Sequence, residues 1–399
     1  MRRVQVSRPG PAWSALAIVS IVYLPMAALA MTPYFLDEPA MLLSAFPEGG
    51  FRGFLESALA GRTGPYQAHL AGMVFHTVTG ALLMALGPYL LWSRPRRRSL
   101  AHVVAGRVYL ATALASMTGA LVFLLGEPLE EAFTGPVFAL GLWAMLVGTV
   151  ASALLGWVAA LRHQIRLHVL WVCLNYGFLM SAPLLRIEWG LFGAVGVGAT
   201  VEEVSPQSAI HVVALSTTAA VVGALHIADH LRPKGVVLGS ATTTGGSTPF
   251  VLSKGVVLGC AVTGLAATAL VTQRYLAHGD RATTHLAWFL VPVLGALGAV
   301  ALLRRRAAAT GRAELAADHV ILACWIMLAP VIALVVALLG RTWLGLAAPV
   351  ADATGVTLCG GLAVYAAVQH LALHEVVVQR RGPSALAATT RSRETARSS

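Results

Sequence analysis

The chain has 399 residues, of which 57% are hydrophobic and 11% charged, with a formal net charge of +11. A soluble domain carries roughly twice that share of charge, which excludes a soluble enzyme or binding module. Apolar runs long enough to cross a hydrocarbon core of about 30 Å recur along the sequence, and they predict an all-α integral membrane protein.

Ten spans are predicted, near 13–34, 69–92, 102–125, 135–160, 168–190, 208–231, 253–275, 283–303, 319–340 and 355–378. The first follows "MRRVQVSR" and contains "AALA", as a secretory leader does. Its apolar run from Trp13 to Tyr34 is long enough to span, so it reads as an uncleaved signal anchor. The loop of about 34 residues after it holds "FPEGGFRGFLESALAGRTGPY", which predicts a short surface helix. Basic residues then cluster in alternate connections: "SRPRRR", "LRHQIR", "LRPK", "LRRR" and "VQRRG". Acidic residues fall in the others, at Asp37, Glu38, Glu48 and Glu56, at Glu127, Glu130 and Glu131, and at Glu202 and Glu203. The positive-inside rule places both termini in the cytoplasm. The loop near 273–284, with Arg274 and Arg281, departs from the alternation. Basic charge at span ends is topological and attracts anionic lipid, so no nucleic-acid partner is implied. The partner is the lipid bilayer.

Five spans fall in residues 1–200 and five in 201–380, and the polar segment 381–399 reads as a disordered cytoplasmic tail. An odd number of spans per half sets the halves in opposite orientation, a plan used by transporters. The stretch "GSATTTGGSTPF" reads as a flexible linker. Cys173, Cys260, Cys324 and Cys359 each lie inside an apolar run and form no CxxC, so they read as small buried hydrophobes.

The 13 histidines gather near the two membrane faces. His69, His76, His211 and His285 lie toward the outer face; His102, His163, His168, His226, His230, His319, His370 and His374 lie toward the inner one. Most single histidines at such depths are boundary residues, because imidazole is amphipathic. His226 and His370 are harder to account for in that way. Each lies inside its span, at matching depth, with a second histidine four residues on, His230 and His374. An imidazole against lipid is costly, so these face protein or a cofactor. Haem b ligated by His226 and His370 from two facing helices fits the pattern. A non-haem transition metal on several of these imidazoles, helped by Asp229, Asp318, His319 or Glu375, is the alternative.

The stretches "HTVTGALLMALGPYLLW" with His76 and Gly87, "SLAHVVAGRVYL" with His102, Arg107 and Tyr109, "RLHVLWVCLNYGF" with His168, Trp171 and Tyr176, and "LLRIEWG" with Arg186 carry a family resemblance. Residues 69–190 resemble an uncharacterised bacterial membrane family, the domain of unknown function DUF2306. In that family the second and third histidines are followed by Arg, where this chain has Val103 and Val169. The resemblance implies a bacterial cytoplasmic membrane location and no defined activity.

Three functions follow from these readings. The first is a b-type haem or metal redox protein that moves electrons between a cytoplasmic-side centre and an outer one at His76 with His211 or His285, with quinone or a redox protein as partner. The second is a small-solute transporter. Against it stands the lack of an acidic residue at mid-membrane, where coupling carboxylates are expected. The third is an accessory subunit or integral-membrane enzyme.

Overall fold

A computed structural model describes residues 44, 48–92, 100–129, 134–195, 201–231, 252–278 and 281–397. The first expected span, the basic segment 93–98 and the polar linker 239–250 lie outside these residues. So do the side chains of His211, His285, Arg380 and Arg381.

Among the described residues all regular structure is helical, in the order α1 (Gly50–Ala68), α2 (Leu70–Trp92), α3 (Leu100–Gly126), α4 (Pro136–Leu161), α5 (Ile165–Val195), α6 (Val201–Leu231), α7 (Lys254–Leu276), α8 (Arg281–Ala309), α9 (Ala313–Met327), α10 (Ala329–Trp343) and α11 (Ala348–Arg397). Seven of these helices contain stretches long and apolar enough to cross a membrane, and the pair α9–α10 makes an eighth if it is one span. The sixth expected span falls within α6. A helix is the only open element that satisfies its own backbone in lipid, which is why an apolar chain of this kind folds almost wholly into helices.

Large apolar side chains lie on the outside as well as the inside. Val78, Leu125, Leu265, Val291 and Leu338 are all more than half exposed, as a lipid-facing belt requires. The largest core joins α5, α6, α9 and α11 around Leu170, Leu174, Leu225, Leu322 and Leu371, none more than 1% exposed. The surface helix expected near residue 50 is present as α1. It buries Phe54 and Leu59 and packs on α5. At the other terminus, α11 extends to Arg397, through the segment whose polar composition reads as a disordered tail. That segment is rich in Ala and Arg, both strong helix formers.

The pair α9–α10 bends by 42°. Pro330 lies at the start of α10. It has no N–H for the Ile326 carbonyl, and its ring crowds the preceding turn. The helix restarts beyond the break, with Val331 and Ile332 N–H groups both donating to Leu328 O at 3.0 and 3.1 Å. Two glycines hold the bend. A Cβ on Gly264 of α7 would stand 2.2 Å from Met327 O, and one on Gly355 of α11 would stand 2.2 Å from Ala333 O. Only glycine admits backbones that close, a common device where lipid offers no hydrophobic drive to packing.

Arg166, Arg312, Asp229 and Glu375 meet at one end of the bundle, called here the basic end. His278, Arg341 and Asp352 meet at the far end. Reporter fusions at Arg96, Arg166 and Lys234 are expected to report the cytoplasm, and fusions at Glu130 and Glu203 the opposite side. Two neighbouring fusions on the same side would refute that topology.

Candidate functional site

Three polar groupings occur within the helices. The first lies in the segment carrying the family resemblance. Tyr109 of α3 donates to Asn175 Oδ1 of α5 at 2.8 Å, and Asn175 Nδ2 donates to Thr149 O and Ser152 Oγ of α4 at 2.7 and 3.2 Å. His76 Nδ1–H donates to Ser116 O at 2.9 Å, and Ser116 Oγ donates back to His76 O at 3.1 Å. Gly87 leaves room for the Tyr176 ring, whose nearest atom would lie 2.1 Å from an added Cβ. Trp171 packs on Tyr365 of α11, with ring centroids 5.4 Å apart. His168 Nδ1 meets Gly156 O at 2.9 Å, and His102 is half-buried at the start of α3. These contacts knit α2–α5 together, and the Tyr109–Asn175 network reads as structural. Tyr109→Phe is therefore expected to cost about 1 kcal/mol of stability and to leave any transport or redox activity in place. Thermal unfolding in detergent measures the first, and a matching loss of activity would give the network another role.

The second grouping lies at the far end. Asp352, one turn into α11, is 5% exposed and is met by two guanidiniums and an imidazole. Arg274 Nη2 of α7 reaches Oδ1 at 3.0 Å, while His278 Nε2 and Arg341 Nη2 of α10 reach Oδ2 at 3.0 and 3.1 Å. Nothing in the local sequence singles out Asp352. The signal was indirect: Arg274 breaks the alternation of loop charge, and the structure gives that charge a buried partner. Also at this end, His69 meets Glu127 at 3.2 Å.

The third grouping lies at the basic end, on α5, α6, α9 and α11. Arg166 of α5 bridges Asp318 of α9 and Glu375 of α11 at 2.7 and 3.2 Å. Arg312 binds Asp229 of α6 at 3.2 Å and turns Nη2 to His230 Nδ1 at 3.3 Å. Spans α6 and α11 pack together, as matching histidine depth implies. Each histidine, however, turns to α9. His226 stands against His319, ring centroids 5.4 Å apart at 66°. His370 accepts Trp325 Nε1–H on Nδ1 at 3.3 Å. His319 is fully buried, and its Nδ1–H donates to Leu315 O at 2.6 Å. The Nε2 atoms of His226 and His319 are buried and have no hydrogen-bond partner among the described residues. His374 is half-buried one turn beyond His370.

Among the described residues no three of His, Cys, Asp and Glu converge as a metal set would. A cavity of about 210 Å³ lies among α4, α5, α6 and α11, lined by Phe138, Met145, Phe178, Val213, Gly361 and Tyr365 among others, and by no histidine. The hydroxyls in its wall have partners: Ser181 donates to Phe178 O and lies 3.6 Å from Met145 Sδ, Thr357 donates to Ala353 O at 2.9 Å, and Tyr365 accepts from Gln369 at 3.4 Å. The cavity is therefore apolar and separate from the imidazoles.

Residues 73–206, from α2 into α6, match a family described as a predicted membrane protein, DUF2306. No curated protein and no solved structure matches the chain. The protein is a multi-pass helical membrane protein in which the DUF2306 match covers the first polar grouping and Arg166. The Asp352 cluster and His319 lie beyond it.

Proposed function

We propose that this protein is a small-solute transporter of the bacterial cytoplasmic membrane, and that the broken span α9–α10 is its moving element. The observation that carries this reading is the 42° break at Leu328, flanked by Gly264 and Gly355. Discontinuous helices supply substrate and ion sites in transporters, because they free backbone groups and permit rocking. The two arms of the break end in the two ionic groupings: Asp318 and His319 on α9, and Arg341 with Asp352 beside α10. Ionisable groups inside a membrane protein mark pathways for ions and polar solutes. Asp352 adds a buried carboxylate to the second of these groupings, at the far end of the bundle.

A single cysteine at Ile332, one turn past the break, tests this. It is placed in a chain whose four native cysteines are changed to Ala. Alternating access predicts reaction with an impermeant maleimide added from either side of the membrane. Reaction from one side only, under every condition tried, contradicts it.

A second reading is a b-type haem or metal redox protein that exchanges electrons with quinone. Its support is the gathering of His168, His226, His230, His319, His370 and His374 at the basic ends of helices that pack on one another. Haem ligation by His226 and His370 requires both rings to turn away from α9. An absorption spectrum of the purified protein before and after dithionite decides it. Sharp reduced-state haem bands support this reading, and a featureless spectrum removes the haem.

A further inference from the structure

We propose that His226 and His319 together bind a divalent transition-metal ion, and that such an ion is the transported solute; the second clause rests on the transporter reading above. His319 gives its Nδ1 proton to Leu315 O, so its buried Nε2 carries the lone pair. Metal-bound histidines commonly hold a backbone carbonyl in this way, which fixes the ring and leaves the other nitrogen to ligate. His226 brings a second buried Nε2 with no partner. A buried polar atom without a partner is costly, and a bound cation satisfies both when His226 takes the tautomer that leaves its Nε2 lone pair free.

The spacing agrees with one shared ion. An imidazole nitrogen bonds such a metal at about 2.0–2.1 Å, with the ring centre about 1.1 Å behind it, so two rings at a tetrahedral angle have centres about 5.1 Å apart and two opposed rings about 6.3 Å. The observed separation is 5.4 Å, at an interplanar angle of 66°. That separation matches an edge-to-face ring contact and also fits two neighbouring ligands on one ion better than two opposed ones.

The other histidines are occupied differently. His370 accepts a hydrogen bond from Trp325 Nε1–H on Nδ1, which puts the ring's own proton on Nε2 in the neutral form and removes that nitrogen from ligation. His230 turns Nδ1 to Arg312. Among the described residues, the carboxylates beside the pair are Asp229, ion-paired with Arg312, and Asp318, ion-paired with Arg166. Imidazole favours Zn²⁺, Ni²⁺, Cu²⁺ and Fe²⁺ over Mg²⁺ and Ca²⁺. With two protein ligands, water completes the shell, and the ion exchanges as a carried solute must. Structural sites, by contrast, are closed by four protein ligands.

The test uses the full chain in detergent, stripped with chelator and titrated with Co²⁺, whose visible bands report nitrogen ligation in a four-coordinate site. One ion per chain is expected. His226→Gln and His319→Gln should each weaken binding by about tenfold or more, while His370→Gln stays within about twofold. His319 is fully buried, so its variant is checked by thermal unfolding; His226 is half-buried, and its variant serves if the other does not fold. No binding, or binding that His226→Gln leaves unchanged, overturns the site. The second arm loads proteoliposomes with a Zn²⁺ indicator. Zn²⁺ entry that is lost in His226→Gln supports the ion as cargo. Binding without entry overturns the cargo assignment and leaves the site. Labelling of Ile332→Cys from both sides stands apart from all of these outcomes, so failure of the metal proposal is distinct from failure of the transporter reading.

Discussion

Asp352→Ala is expected to lower stability by about 3 kcal/mol, the lower end of the range for stripping one partner from a buried ion pair. Asp352 is 5% exposed and is the shared counter-ion of Arg274 and Arg341, which are 28% and 35% exposed. Its loss leaves two guanidiniums facing one another across a gap without compensation. Their partial exposure lets water recover some of the loss, which is why the lower end applies. Asp352→Asn should cost less, since an amide oxygen still accepts a hydrogen bond from one of them. Arg274→Gln should cost less again, because Arg341 and His278 remain on the carboxylate. Thermal unfolding in detergent ranks the three variants. An Asp352→Ala protein as stable as its parent would mean that the cluster contributes nothing.

Gly355→Val and Gly264→Val are expected to be at least as damaging, by a different cause. Even the Cβ of alanine at either site would sit 2.2 Å from a backbone carbonyl oxygen. Neither carbonyl can swing away as a side-chain tip can, so whole helices must separate. Overpacking of this kind costs about 1–3 kcal/mol and sometimes more, and each valine adds two methyl groups to the clash. Valine at either site should therefore loosen α9–α10 from α7 or α11, and any transport should fall with it. Gly223→Val is the control, since nothing lies within 4 Å of its Cβ position. Equal stability of all three variants would refute the close packing at the bend.

How much of this was legible in the sequence varies from feature to feature. Apolar runs foretold the seven helices long and apolar enough to span, because span length is a local property, whereas the single span expected near 319–340 is the bent pair α9–α10. The depth of His226 was legible for the same reason. Its partner was not. Which neighbour an imidazole meets depends on the rotation of α6 against α9 and α11, and one chain carries no record of that. Spacing paired His226 with His370; the fold sets His226 against His319, which the sequence offered only as a helper. Asp352 lay outside the tenth span as read from hydropathy. In the fold α11 begins at Ala348 and carries it inside. Its partner Arg274 is 78 residues away in sequence, from 274 to 352, too far for any local pattern to join them. The proline in "MLAPVIAL" reads as a modest break in the sequence, whereas the fold bends there by 42°, with two glycines from other helices packed against it.

The central claim is that α9–α10 moves relative to the rest of the bundle, and a distance measurement between spin labels tests it most directly. Nitroxides at Trp343→Cys on α10 and Leu125→Cys on α3 are suited to this, since both positions are strongly exposed, at 80% and 71%. The background again lacks the native cysteines. Pulsed dipolar spectroscopy in lipid should give two separated distances, with populations that shift when Zn²⁺ is added. A single narrow distance that neither Zn²⁺ nor pH alters would contradict the account.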